Sequence, residues 1–213
     1  MFTGIIEEIG TIEQLNIGAN SGEIRIKAKK ILEGTRIGDS IAVNGICLTV
    51  TKLTDDSFCA DVMAETVRRS SLRTMHNGAQ VNLERAMSAE GRFGGHIVSG
   101  HIDGTGTIRR MERDENAVWV TIGASEEILR GIVMKGSIAI DGVSLTVADV
   151  TDSDFSVSII PHTGEETILL KKRSADIVNL ETDIIGKYVE KMLKGCTSGG
   201  SGITMDYLQK YGF

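Results

Sequence analysis

Residues 40–50 read Ser-Ile-Ala-Val-Asn-Gly-Ile-Cys-Leu-Thr-Val, and residues 137–147 read Ser-Ile-Ala-Ile-Asp-Gly-Val-Ser-Leu-Thr-Val, 97 positions later. The register then holds without a gap. Phe58 meets Phe155, Thr66 meets Thr163, and Val81-Asn82-Leu83-Glu84 meets Val178-Asn179-Leu180-Glu181. At the front the offset is 96, where Gly4 and Gly10-Thr11-Ile12 meet Gly100 and Gly106-Thr107-Ile108. Solenoid units are only about 20–50 residues long, so a repeat of this length is a duplicated domain. Each half is large enough to own a small core, and two similar halves suggest two similar pockets.

The 213 residues therefore divide into two domains. A formal charge of −6 with scattered basic residues offers no stripe for a nucleic-acid backbone. No apolar run approaches the roughly 18 residues that would span a bilayer. The opening Met1-Phe2-Thr3-Gly4-Ile5-Ile6 lacks the basic region of a signal peptide. Cys47, Cys59 and Cys196 are odd in number and lack CxxC spacing, which reads as free thiols in a reducing cytoplasm.

Within each half, short β-branched stretches alternate with turn residues, the pattern of strands. The expected strands are Ile24–Ala28, Ser40–Val43, Ile46–Thr51, Phe58–Met63 and Gln80–Leu83, then Ala117–Ile122, Ser137–Ile140, Val143–Val150, Phe155–Ile159 and Ile177–Leu180. Five or six short strands in under about 100 residues point to a small closed barrel, because closure removes exposed edges. Helical turns are expected at Lys29–Leu32 and Glu126–Gly131, and the junction between halves at Glu90–Gly95. Farther on, Ile185, Tyr188, Val189, Met192 and Leu193 recur on one face of a helix. That stripe either packs back on its own domain or meets copies of itself, and the pattern leaves both open. Thr197-Ser198-Gly199-Gly200-Ser201-Gly202 then reads as a flexible break.

Asn44-Gly45 and Asp141-Gly142 are preferred type I′ hairpin turns. Alternation places Ile41, Val43, Ile46, Leu48 and Val50 on one face, a natural core. The opposite face holds Ser40, Ala42, Cys47 and Thr49, and its second copy Ser137, Ala139, Ser144 and Thr146. A solvent-facing strand surface usually includes Lys, Glu or Arg, and neither copy has one here. Small neutral hydrogen-bonding residues instead leave room for a flat ligand. His96 and His101 flank the start of the second repeat. Five apart in an extended segment they point to opposite faces, and with no Cys or carboxylate cluster nearby no metal site is expected. Cys47 has Ser144 as its counterpart, so the two pockets are not identical. Asn82 and Asn179 read as strand-end polar residues without chemistry.

These residues carry a resemblance. Met1-Phe2-Thr3-Gly4-Ile5, the two hairpins, Gly94-Gly95-His96 and Ser99-Gly100-His101 closely resemble the riboflavin synthases of the alpha-chain type, over roughly residues 1–190. The resemblance implies an all-β fold of two tandem six-stranded Greek-key barrels, residues 1–96 and 97–186. A C-terminal helix and tail, residues 187–213, would serve a homotrimer. The implied reaction is a dismutation of two 6,7-dimethyl-8-ribityllumazine molecules, needing neither cofactor nor metal. One donates four carbons to the other, giving riboflavin and 5-amino-6-ribitylamino-2,4-pyrimidinedione. The productive pair would lie between the N-terminal barrel of one subunit and the C-terminal barrel of its neighbour. Such a trimer would stand alone or inside a shell of lumazine synthase.

By motif position the resemblance places Phe2 against the ring, with Ser40, Cys47 and Thr49 in the N-barrel site. Cys47 would be nucleophile or donor, and His101 the proton-transfer group. Glu65 and Thr66 would hold the ribityl chain and ring edge. Ser144, Thr146, Ile160 and Thr163 would do the same work in the C-barrel, assisted by Lys135, with Asp183 an acidic partner near the reacting carbons. Gly4, Ile5 and Gly100 would border the substrate. Two rivals share the barrel. A non-catalytic lumazine antenna protein would lack some reactive positions, and a flavin reductase needs a nicotinamide domain for which the chain has no segment.

Overall fold

The structure of the chain, a computed structural model, describes residues 1–18 and 21–197. Among these residues, twelve strands form two closed six-stranded antiparallel barrels. The first contains β1 (Glu8–Ile17), β2 (Ser21–Lys27), β3 (Ser40–Val43), β4 (Ile46–Leu53), β5 (Ser57–Met63) and β6 (Gln80–Arg85), in the order β1-β2-β5-β4-β3-β6. The second contains β7 (Gly104–Asp114), β8 (Ala117–Gly123), β9 (Ser137–Ile140), β10 (Val143–Val150), β11 (Asp154–Ile159) and β12 (Ile177–Thr182), in the corresponding order. In each, three hairpin-linked strands are followed by a fourth that returns beside the first, the Greek-key arrangement. Closure leaves no exposed strand edge.

The ten expected strands are present, and the repeat is reproduced down to its irregularities. Bulges fall between Ile12 and Gln14 and between Ile108 and Arg110, and again between Val50 and Lys52 and between Val147 and Asp149. A bulge at the same place in each copy bends its strand and lets so short a sheet close. The two strands not read from the sequence, β1 and β7, are the ones whose inside–outside alternation these bulges interrupt. The offset changes from 96 to 97 between β2 and β3, where a 3-10 turn (Lys30–Leu32) is replaced by α2 (Glu126–Arg130) in the second copy. Two short helices, α1 (Ala64–Arg69) and α3 (Pro161–Glu166), follow β5 and β11 and lack the length for a legible periodicity. Pro161 opens α3 where its missing N–H costs nothing.

The predicted core face of the hairpin is buried as expected. Ile41, Val43, Ile46, Leu48 and Val50 join Ile12, Phe58 and Leu83 inside the first barrel. Ile138, Ile140, Val143 and Val147 join Phe155 and Leu180 in the second. Both barrels belong to one compact unit, Met1–Asp183. α4 (Ile184–Thr197) belongs to the other, and its Ile185, Tyr188, Val189, Met192 and Leu193 share one face as the spacing predicts. The expected break after Thr197 lies outside the described residues. No described helix is long and apolar enough to cross a membrane.

The barrels meet about a pseudo-twofold axis marked by pairs of equivalent residues. Asn44 (φ 46°) with Gly45 (φ 78°) and Asp141 (φ 45°) with Gly142 (φ 81°) adopt the left-handed pair of a type I′ turn. The two turns touch tip to tip, so closely that a Cβ on Gly45 would lie 2.8 Å from the Gly142 nitrogen. Asn82 and Asn179 corrected the expectation made for them. Both are completely buried, and each crosses the axis. Asn82 Nδ2 donates to the Asp141 carbonyl (2.9 Å), and Asn179 Nδ2 to the Asn44 carbonyl (2.9 Å). Their Oδ1 atoms accept from Ile168 N (2.9 Å) and Ser71 N (2.7 Å). An amide is needed because the turn carbonyl and the loop N–H must both be satisfied away from water.

The candidate active site

The outer face of each hairpin is floored by its own barrel and roofed by the segment leading into the repeat. Phe2 pairs with its counterpart Val98 across the axis, with Phe2 N donating to Val98 O at 2.7 Å and Val98 N to Phe2 O at 3.1 Å. From there the two segments diverge onto opposite barrels. The Gly4 carbonyl accepts from Ser144 N (2.8 Å), and the Gly100 carbonyl from Cys47 N (2.9 Å). Each segment is anchored by a glutamate of β6 or β12. Glu84 accepts from Thr3 N (2.7 Å), Thr3 Oγ1 (2.7 Å) and Gly4 N (3.0 Å). Glu181 repeats this with Ser99 N (2.6 Å), Ser99 Oγ (2.7 Å) and Gly100 N (3.0 Å). These glutamates were missed by the sequence reading, although both sit in the repeated Val-Asn-Leu-Glu. Burial raises the Glu84 carboxyl above its ordinary range, and the bonds from Thr3 and Gly4 only partly oppose that.

Around the two hairpins the expected site residues fall into two clusters. In the first, Cys47 packs with Phe2, Ala42, Val98 and Ala139. Phe2 is fully buried, so its ring supports the floor between the barrels. His101 follows Gly100 and is exposed at the lip. Ser40 and Thr49 are cross-strand partners on the same hairpin. In the second cluster, Ser144 lies under Gly4, and Thr146 pairs with Ser137. Lys135 holds a left-handed backbone (φ 65°) two residues before β9, where the first repeat has Gly38. Ile160 caps α3 and leaves 55% of its surface exposed. Its counterpart Met63, at the start of α1, is 73% exposed and was not singled out from sequence. Thr66 and Thr163 fall on α1 and α3, their carbonyls accepting from Ser70 Oγ (2.6 Å) and Thr167 Oγ1 (2.7 Å). Glu65 pairs with Arg68 at 2.8 Å and also with Arg69 on the outer face of α1. Asp183 follows β12, and its charge, with that of Glu181, bears on His96.

His96 is the residue whose place the sequence did not reveal. It is buried, and its Nδ1 lies 2.7 Å from Ser144 Oγ. Burial lowers its pKa, while the charges of Asp183 and Glu181 work in the opposite direction. The net direction keeps the imidazole neutral near pH 7. Cys47 Sγ has no corresponding partner among the described residues. Cys47 and Cys59 are free thiols, and Cys196 lies outside the described side chains.

A depression of about 730 Å³ opens beside the roof, lined by Thr3, Ile5, Glu7, Ser40, Glu84, Arg85, Met87, Arg92 and Gly94 among others. Its wall includes the ion pair Arg85 Nη2–Glu7 Oε2 (2.6 Å). Burial pushes the Glu7 carboxyl upward, but the hydrogen bonds and charge of Arg85 outweigh it and hold the pKa below its ordinary value. A lowered carboxylate pKa stabilises the fold above the unfolded value of about 4.3, and that contribution is lost as pH falls through the lowered value. Arg85→Met is therefore expected to cost about 1 kcal/mol or less at neutral pH for this half-exposed pair. The gap to wild type should close on acidification, as thermal unfolding from pH 7 to 3 will show.

The geometry defines a double-barrel protein with two quasi-equivalent, small-residue hairpin faces roofed by crossed segments. The lumazine binding domain matches it twice, over residues 3–86 and 99–183. The riboflavin synthase of Actinobacillus pleuropneumoniae is 52% identical over the full length of both chains, and that of Bacillus subtilis 49%. The crystal structure of LumP complexed with riboflavin superposes with a TM-score of 0.80 at 26% identity, covering 85% of this chain and 99% of LumP. The complex of LumP with 6,7-dimethyl-8-(1′-D-ribityl) lumazine gives 0.77. The chain belongs to the riboflavin synthase family of enzymes.

Proposed function

We propose that the chain converts two molecules of 6,7-dimethyl-8-ribityllumazine into one riboflavin and one 5-amino-6-ribitylamino-2,4-pyrimidinedione. One lumazine loses a proton from its ring-position-seven methyl group and adds to the equivalent carbon of the other, and four carbons then pass between them. The observation that carries this reading is the duplication of the floor. Two hairpins with small neutral residues, related by a twofold, suit two copies of one flat molecule held in opposite orientations. The substrate's electron-poor ring supplies the reactivity without a cofactor, and holding the pair in register supplies much of the acceleration.

In this reading the barrels 1–96 and 97–186 each take one lumazine, and residues 187–213, with the apolar stripe of α4, assemble a homotrimer. The N-terminal floor of one subunit then faces the C-terminal floor of the next. The exposed settings of His101 and Ile160 support that arrangement, in which a neighbouring subunit would cover them. The cytoplasm is the matching compartment, and a lumazine synthase shell the matching partner. Incubating the purified protein with 6,7-dimethyl-8-ribityllumazine alone is expected to form one riboflavin and one pyrimidine for every two lumazines consumed. Tight binding without riboflavin would overturn the reading and leave a lumazine carrier.

A further inference from the structure

The two floors differ in one respect that the repeat does not predict. Over Ser144 the chain lays Gly95 and His96, whereas Cys47 meets the Gly100 segment and the apolar cluster of Phe2, Ala42, Val98 and Ala139. A Cβ on Gly95 would stand 2.0 Å from the Thr3 carbonyl oxygen and 3.0 Å from Ser144 Cβ, so the segment carrying His96 is pressed directly onto the serine. His96 N is tied to the Thr3 carbonyl (3.1 Å), and its Nδ1 reaches Ser144 Oγ at 2.7 Å. Its Nε2 is buried without a hydrogen-bond partner.

That orphaned nitrogen favours one tautomer. A neutral imidazole carries one proton, on one nitrogen or the other. Placed on Nε2, the proton would be a buried N–H with no acceptor, and the Ser144 hydroxyl would have to turn inward to donate to Nδ1. Placed on Nδ1, the proton is donated to Ser144 Oγ, and Nε2 keeps a lone pair, the less costly atom to leave unmatched. With an oxygen lone pair so occupied, the serine O–H is free to point outward.

We propose that His96 is a positioning residue of the C-terminal half-site, which aims the Ser144 hydroxyl as a hydrogen-bond donor at an acceptor on the ring of the bound lumazine or flavin. The inference rests on the lumazine reading and assigns the C-terminal floor a directed donor that the N-terminal floor, with its weakly donating thiol, does not have. The ligand edge that receives this O–H is therefore a carbonyl oxygen or an unprotonated ring nitrogen. Glu181 and Asp183 are the charged groups acting on His96. They do not alter the aim, since Nδ1 donates in the neutral and the protonated ring alike.

The test uses the full chain, with two readouts. These are turnover of 6,7-dimethyl-8-ribityllumazine and affinity for riboflavin by fluorescence quenching. His96→Phe keeps the ring shape and removes the donor. His96→Asn keeps an amide donor where Nδ1 stands. His96→Phe is expected to lose about tenfold in rate and in binding at the C-terminal site, the worth of one oriented hydrogen bond. His96→Asn should recover to within about threefold of wild type, with an unchanged pH profile. Ser144→Ala should match His96→Phe, and the double variant should be no worse than Ser144→Ala, because the two act through one bond. Wild-type behaviour of His96→Phe overturns the proposal, and so do losses that multiply to about a hundredfold in the double variant. An Asn variant as poor as Phe with a displaced acid limb overturns it in favour of a general base. Thermal unfolding of each variant separates loss of fold, and if His96→Phe is unfolded, Ser144→Ala against His96→Asn carries the comparison. If the wild type makes no riboflavin, the proposed reaction fails, and the binding arm still decides this point.

Discussion

Gly100→Ala is expected to unmake the N-terminal half-site while leaving both barrels closed. Gly100 has φ 83°, in the left-handed region, where a side chain costs about 1 kcal/mol or more. Its new methyl would lie 2.5 Å from Cys47 Cβ, 2.9 Å from the Phe2 ring and 3.0 Å from the Cys47 nitrogen. None of the three can yield cheaply. Cys47 N is held by the Gly100 carbonyl itself, and Phe2 is clamped between the barrels. Overpacking of this kind adds about 1–3 kcal/mol. Together these predict a fall of roughly 5–15 °C in Tm for a chain of this size. The larger effect is on function, because the segment must lift from the hairpin and carry His101 with it. A displacement of about 1 Å at a positioned group costs on the order of a hundredfold in rate. Turnover and Tm of the variant check both parts. Activity near wild type would show that the segment over Cys47 is no part of the site.

Lys172→Met is expected to be among the most damaging single changes distant from the site, and Asp141→Asn in the same chain is expected to repair it. Asp141 is completely buried at the contact of the barrels, with Oδ1 accepting from Asn179 N (2.8 Å). Its Oδ2 faces Lys172 Nζ at 3.0 Å and no other donor. Burial raises its pKa, and the Lys172 charge opposes that. Removing the ammonium leaves a buried carboxylate uncompensated, at a cost of about 3–5 kcal/mol. The first repeat shows the remedy, since Asn44 and Met75 occupy the equivalent places. Asn44 Oδ1 accepts from Asn82 N (2.7 Å), and its Nδ2 lies 4.0 Å from Met75 Sδ. The double variant converts the charged corner into a copy of the neutral one and should fall within about 1.5 kcal/mol of wild type. The pH dependence has a definite sign. In the single variant the folded pKa of Asp141 rises further above its unfolded value. Stability should therefore be greatest below about pH 3.9 and decline as pH rises through the folded value. Denaturant titrations at pH 4 and pH 8 check this, and a double variant no better than the single one would remove the ion pair from the account.

Much of this architecture was legible in the sequence because its signals are local. An Asn-Gly or Asp-Gly pair flanked by alternating apolar residues specifies a type I′ hairpin and sorts its two faces, and both were read correctly. The repeat then transferred each assignment from one half to the other. β1 and β7 escaped because a bulge breaks their alternation, and α1 and α3 because helices of six residues show less than two turns of pattern. For the site, the motifs named Cys47, Ser144, Gly4 and Gly100 but could not say that they meet in crossed pairs.

Sequence by itself determined that two homologous barrels exist, which face of each hairpin is core, and which small neutral residues lie on the opposite face. Those properties depend on neighbours within a few positions and on a duplication visible in one dimension. Only the tertiary structure decided that Gly4 roofs Ser144 while Gly100 roofs Cys47, that Asn82 and Asn179 staple the axis, and that His96 holds one floor and has no counterpart on the other. Each of these joins residues dozens of positions apart through a single hydrogen bond or a van der Waals contact. Such pairings are set by how two barrels meet about an axis, and no periodicity in the chain encodes that axis.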